Sequence, residues 1–377
     1  MWLETRWIGQ AERRTDRVRM RDGVHLATDV YLPEGAPPFP VILIRTPYNK
    51  DALQGLGAEG VKRGYAVVIQ DTRGRFASEG ANLPFEGDGW WENRADGVDT
   101  VEWILQQRWC NGRIGTWGGS ALGINQIFLA CAGEPRITCQ HITVGEPNLY
   151  RALYPGGVFK KSLVEEWLKA TQHAPEALTL WTRHATYDAF WQTRDASRRF
   201  ERVNVPAVHI GGYYDIFAQG TLDAFVGYQT RGGSRARGQQ KLLMGPWAHG
   251  VLQRRVGELE FPNADKPPCT FHDAWRWFEA HLKGERNGVQ DEPSVVYYVM
   301  GDCSDPRAGQ RVAHGASVAA RADTPHAALS ACRRNRPLAP PAGTAHAQRP
   351  LRPSQSRAHR RRTRAEPARR TPRPAHN

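Results

Sequence analysis

The chain has 377 residues, 40% of them apolar and 13 of them tryptophan, enough to bury a large core in two domains or in one domain with an insertion. No run of about 18 apolar residues is present to span a membrane. The net charge of +13 invites a nucleic-acid reading, but from Pro306 onward there are 16 arginines, no lysine and only Asp323 and Glu366, while the first 305 residues balance 35 basic against 36 acidic side chains.

Cysteines at 110, 131, 139, 269, 303 and 332 form neither a CxxC pair nor a compact framework, so reduced thiols are expected, with no metal and no cofactor. Met1 to Arg6 lacks the basic start and apolar run of a secretory signal, and the expected location is the cytoplasm.

Residues 17–32 alternate like paired strands around the turn Arg21-Asp22-Gly23. Phe39–Ile44 is an apolar strand leading to Tyr48, and Ala66–Gln70 is the next. The loop after it, Asp71-Thr-Arg73-Gly74-Arg75, reads as architecture, with Asp71 and Arg73 placed to pair. Asp96–Gln107 carries Val98, Val101, Trp103, Ile104 and Leu105 in a helical pattern ended by Asn111 and Gly112. A very short strand, Arg113–Thr116, enters the turn Gly118-Gly-Ser120-Ala-Leu-Gly123, and Ile124, Ile127, Phe128 and Ala130 then suit a helix packed on a sheet. Arg136–Gly145 is a further strand, with Cys131 and Cys139 as packing residues.

Strand, tight glycine turn and helix are what a serine nucleophile needs, because the turn lifts its hydroxyl clear of the fold. The second glycine stands one residue later than in G-x-S-x-G, and an ordinary glycine-rich turn is the competing reading. Two later apolar runs end in suitable partners: Val205–Gly211 breaks into Gly212-Tyr-Tyr-Asp215, and Gln240–Gly245 into Pro246-Trp-Ala-His249. The order Ser120, Asp215, His249 is that of an α/β-hydrolase triad, although a loop aspartate also caps helices. His141 and His209 lie inside strand-like runs and read as core.

Between Asn148 and Arg202 the strand signal stops, and Ser162–Thr171 and Glu176–Phe190 suit amphipathic helices. Trp167, Trp191 and Trp247 are candidate substrate-binding residues, and Trp181, Tyr187 and Phe190 could join them in an acyl pocket, with core packing as the alternative for aromatics at helical spacing. Glu165, Glu166 and Asp188 could meet a substrate ammonium or form a solvated face. Thr270–Leu282 reads as a helix and Pro293–Met300 as a strand.

Together, Arg45-Thr-Pro-Tyr48, the Asp71–Arg75 stretch, the Ser120 turn, Gly212-Tyr-Tyr-Asp215 and Gly245-Pro-Trp-Ala-His249 resemble the CocE/NonD hydrolases, a group holding cocaine esterase, α-amino-acid ester hydrolases and S15-type X-Pro dipeptidyl-peptidases. That family uses G-x-S-x-x-G, which accounts for the late glycine. The resemblance spans roughly residues 15–302 and implies an α/β-hydrolase fold with a mostly parallel, doubly wound sheet. It implies a catalytic domain over 1–147 and 203–288, a helical cap over 148–202, and a remnant of a jelly-roll domain over 289–302 opened by the strand at 293–300. It also implies Ser120 as nucleophile, His249 as base, Asp215 as its orienting acid, and an oxyanion hole made by the Tyr48 hydroxyl and the backbone N–H of Ala121, where the family usually has tyrosine.

The expected activity is a serine hydrolase cleaving esters or amides through an acyl-enzyme, with X-Pro dipeptidyl-peptidase or α-amino-acid ester hydrolase activity as the alternative. Expected partners are small esters, amides or short peptides, with a homo-oligomer allowed and membrane excluded. From residue 303 to 377 the chain reads as a disordered Arg/Pro/Ala-rich tail: from Pro306 onward it has ten prolines and no Phe, Trp, Tyr, Ile, Met or Lys. One reading of the tail is an arm for nucleic acid; the other, favoured because the β-pattern ends abruptly, is out-of-frame translation, with an inactive truncated product as an alternative outcome, and it argues against a nucleic-acid partner.

Overall fold

The computed structural model describes residues 4–8, 11–301 and 311–315. Strands β1 (Glu4–Ile8), β2 (Ala11–Arg19) and β3 (His25–Leu32) form an antiparallel meander. β4 (Phe39–Thr46), β5 (Ala66–Asp71), β6 (Cys110–Gly119), β7 (Ile137–Thr143), β8 (Ala207–Gly212) and β9 (Lys241–Gly245) are parallel. After a two-residue ribbon, β10 (Arg255–Val256) with β11 (Leu259–Glu260), the sheet is extended by β12 (Val295–Val299) and β13 (Arg311–Gly315). The order across the eleven-stranded sheet is β1-β2-β3-β5-β4-β6-β7-β8-β9-β12-β13.

The chain runs from β4 outward to β5 and then returns to the opposite side of β4 for β6. Loops leaving β4 and β6 therefore diverge at the carboxyl edge, and this switch point is where an open α/β sheet offers a crevice. Helices cover both faces: α1 (Gln54–Lys62) and α9 (Ala274–Phe278) on one, α2 (Asp96–Leu105), α3 (Ala121–Cys131) and α8 (Ala218–Arg231) on the other. Alternate strand residues serve the two layers: Val41 and Leu43 join the core with Val101, Ile127 and Phe128, and Ile42 and Ile44 join Trp277 and Phe278. Burial on both faces makes these strands continuous apolar runs rather than alternating ones.

Several expectations change. The strand expected at Pro293–Met300 is present as β12, and it pairs in parallel with β9, Val295 opposite Leu242 and Tyr297 opposite Met244, after a crossover through α9. A strand run after a helix reads the same whichever sheet receives it, and here the exposed edge of β9 does. Residues 311–315, expected within a structureless tail, form β13 antiparallel to β12; the rest of the expected tail, and with it the frameshift reading, lies outside the described residues. β6 runs well past Arg113–Thr116 at both ends. Arg73 does not pair with Asp71; it binds Asp96 and Asp22, while Asp71 accepts the backbone N–H of Lys50 at 2.7 Å. His141 and His209 are buried, as expected, and so are Cys131 and Cys139.

Between β7 and β8 lie α4 (Leu149–Leu153), α5 (Lys161–Ala170), α6 (Glu176–Arg183) and α7 (Ala189–Thr193). The expected helix over Glu176–Phe190 breaks because Asp188 turns its carboxylate onto the N–H groups of Phe190 and Trp191 and starts α7 instead. The neck of the insertion is closed by pairing of Asn148 with Asp195, whose carboxylate also accepts from Tyr187. The loop after β5 is tied to the insertion by a buried pair, Glu86 with Arg194 at 2.9 Å.

Burial holds His141, His209 and His281 down to about 4. Unfolded imidazoles take up protons as pH falls below about 6.5, whereas these stay neutral until about 4, so each favours the unfolded state over that window. Asp71, pushed up to about 6 by burial, acts in the opposite sense. We expect His281→Gln to flatten the dependence: as pH drops from 7 to 4.5, the urea midpoint of the wild type should fall relative to that of the variant.

Candidate active site

Ser120 stands between the last residue of β6 and the first of α3, with φ 57° and ψ −124°. A non-glycine residue in that region is strained by roughly 1–3 kcal/mol and persists only when its surroundings hold it. The Ser120 N–H donates to Thr143 O at 3.0 Å, and the Ile124 N–H closes the first helical turn onto Ser120 O at 2.9 Å. Two glycines make room. A Cβ at Gly118, itself at φ 143°, would stand 2.5 Å from Cβ of Leu122, and one at Gly123 would meet Thr143 O at 3.0 Å. Leu122 and Gly123 therefore divide the work on either side of the turn, which is why the second glycine falls at 123.

The other groups also leave the carboxyl ends of strands. His249 follows β9 and places Nε2 2.8 Å from Ser120 Oγ. Asp215 follows β8, and its Oδ1 lies 2.7 Å from His249 Nδ1. A carboxylate only accepts, so Nδ1 carries the hydrogen and the Nε2 lone pair accepts from the serine O–H. The Asp215 side chain is fully buried, while the imidazole is 40% exposed. Asp215 Oδ2 has no hydrogen-bond partner among the described residues, so the carboxylate directs its interaction to the imidazole.

Tyr48 lies two residues beyond β4, its N–H held by Thr46 Oγ1 at 3.0 Å, and its hydroxyl accepts from Trp167 Nε1 at 3.2 Å. Ala121 is the first residue of α3, where backbone N–H groups have no intrahelical acceptor and the helix end favours negative charge. Of the three tryptophans proposed for substrate, Trp167 is the one that contacts Tyr48. Trp191 is wholly buried within the insertion, donating to His184 O. Trp247 is also buried: its indole packs over Gly245 and donates to Ala264 O at 3.1 Å. Both are core residues. Sequence reasoning missed Phe217, which meets the His249 ring edge to face at 5.5 Å; its position two residues after Asp215 was the available signal. Asp188 is engaged by His184 and its own helix, so it does not serve an ammonium. Among the described residues no group of three or more His, Cys, Asp or Glu comes together to hold a metal.

A mostly parallel sheet, a strained serine at the strand-to-helix turn, and the histidine and aspartate that reach it from the ends of β9 and β8 define an α/β-hydrolase. The family model for X-Pro dipeptidyl-peptidase (S15 family) matches residues 22–177 and 160–251, and the chain belongs to that family. Cocaine esterase of Rhodococcus sp. (strain MB1 Bresler) is 31% identical over 341 residues, covering 75% of this chain and 57% of that protein. A putative serine esterase of Mycobacterium bovis is 24% identical over 376 residues, covering 75% and 58%. Among solved structures, a CocE/NonD family hydrolase from Staphylococcus aureus superposes with TM-score 0.62 at 20% identity, covering 81% of this chain and 56% of that one. An α-amino acid ester hydrolase gives 0.58 at 22%, covering 82% and 59%. The chain thus spans somewhat over half the length of the relatives it matches.

Because Trp191 is core, Trp191→Ala should cost about 3–5 kcal/mol of stability, read as a lowered urea midpoint. Trp247→Phe should likewise lower the midpoint while leaving KM for a small ester unchanged.

Proposed function

We propose that this protein is a serine hydrolase that cleaves esters through an acyl-enzyme. The observation that carries the reading is the continuous chain from Ser120 Oγ through His249 to Asp215, at 2.8 and 2.7 Å, on a serine presented at a helix N-terminus. Ser120 Oγ attacks the acyl carbonyl while His249 Nε2 takes its proton, and the imidazolium is stabilised by the buried Asp215 carboxylate. Collapse of the tetrahedral intermediate breaks the bond to the alcohol, which leaves with the proton from Nε2. Water then attacks the acyl-enzyme, Nε2 takes its proton, and that proton returns to Ser120 as the acid departs.

Negative charge on the carbonyl oxygen develops between the Tyr48 hydroxyl and the Ala121 N–H, and loss of one such donor typically costs on the order of 3 kcal/mol. Ala121 acts through its backbone, so alanine in place of the family's usual tyrosine alters the pocket wall and spares the donor.

Esters stand ahead of amino-acyl and X-Pro substrates because the relatives named above include esterases, and because the Asp188 carboxylate is already committed to His184 and to capping α7. The cytoplasmic location belongs to the same proposal, supported by unpaired thiols at Cys110, Cys131, Cys139 and Cys269.

Hydrolysis of p-nitrophenyl acetate tests the reading. Ser120→Ala should lower kcat by about 10³-fold or more, and Tyr48→Phe by about 10²-fold. Equal rates for wild type and Ser120→Ala would overturn it. A proline-anilide dipeptide assayed in parallel should turn over more slowly than the ester.

A further inference from the structure

The oxyanion side of the site is assembled from two distant stretches: Tyr48, in the loop after β4, and α5 of the insertion. Two contacts join them. Trp167, on α5, donates its indole N–H to the Tyr48 hydroxyl oxygen. Indole nitrogen only donates, so Tyr48 is the acceptor in this bond and its own hydrogen is directed elsewhere.

Arg75 makes the second contact. Buried at 3% exposure, its Nε donates to Pro47 O at 3.0 Å, beside Tyr48, while its Nη atoms donate to Thr171 O and to Gln172 O, at the C-terminal end of α5. One guanidinium thus clamps the Tyr48 loop to the helix that bears Trp167. The indole plane is itself set by stacking on Phe85 (6.2 Å, 4°), Trp181 (6.3 Å, 14°) and His173 (4.9 Å, 28°).

We propose that Trp167 is a positioning residue for the oxyanion tyrosine: with the cap helix clamped by Arg75, its N–H turns the Tyr48 O–H toward the developing oxyanion, so that docking of the cap completes the oxyanion hole. This rests on the serine-hydrolase reading above. A Tyr48 hydroxyl already engaged as acceptor is a better donor, because charge drawn from oxygen polarises its O–H bond. A wall of the acyl pocket would contribute equally to ground state and transition state, whereas this bond acts only once charge appears on the carbonyl oxygen.

The test is Trp167→Phe, which removes the N–H and keeps an aromatic ring, assayed on p-nitrophenyl acetate alone and in a Tyr48→Phe background. A second variant replaces Trp167 with its benzothienyl isostere, sulfur for N–H, which preserves the shape should phenylalanine loosen the cap. The expected result is that both lower kcat about tenfold with KM little changed, and that neither has further effect once Tyr48 is phenylalanine. Arg75→Met should give the same kcat loss, partly restored by Arg75→Lys. The proposal is overturned if KM rises while kcat holds, or if the Trp167 and Tyr48 effects multiply. Failure of the hydrolase reading itself shows separately, as undiminished turnover by Ser120→Ala.

Discussion

The left-handed backbone at Ser120 is the constraint on which the rest of the structure depends. A serine at φ 57° relaxes unless something holds it, and what holds it is the junction of β6, β7 and α3: Thr143 O on the Ser120 N–H, Leu122 against Gly118, and Gly123 against the end of β7. That junction exists only because parallel strands bring every loop on this edge to the same side. Tyr48, Ser120, Asp215 and His249 lie within a few residues of the ends of β4, β6, β8 and β9, and Ser120, Asp215 and His249 meet although 129 positions separate Ser120 from His249 in the chain.

The insertion is fixed to this edge mainly by buried charge and aromatic stacking. Arg194 with Glu86, Arg75 with the end of α5, and Asp195 with Asn148 each join segments far apart in sequence. Breaking one partner of such a pair strands the other in a medium that cannot solvate it, so the contacts specify position as well as add stability. The same economy of space explains Trp247, whose indole occupies the volume that Gly245 leaves empty while its carbonyl and Cβ lie over Gly212.

The triad candidates were legible in the sequence because Ser120, Asp215 and His249 each follow an apolar run at a glycine-bearing turn, a local pattern that survives without the partners. The order Ser120, Asp215, His249 followed from that pattern, and the structure brings the three into hydrogen-bond contact. Aromatic roles were not legible. Trp191 and Trp247 look like pocket residues in a line of text because a tryptophan in a turn beside a histidine, or at helical spacing, carries no mark of which way its ring faces. Phe217 carries no such mark either, and Arg75 reads as loop architecture because its three backbone carbonyl partners, Pro47, Thr171 and Gln172, belong to different parts of the chain.

By itself the sequence determined the periodicities, and with them a doubly wound sheet, a helical insertion, and a nucleophile, acid and base in hydrolase order, since these depend on local backbone preference and on which residues are apolar. Only the tertiary structure decided that the strand after α9 joins β9, that 311–315 pairs beside it, and that the tryptophan of α5 meets the tyrosine after β4. The physical reason is common to all three. Strand edges and side-chain hydrogen bonds are satisfied by whatever complementary group the fold brings near, and proximity across a sheet is a property of the packed chain.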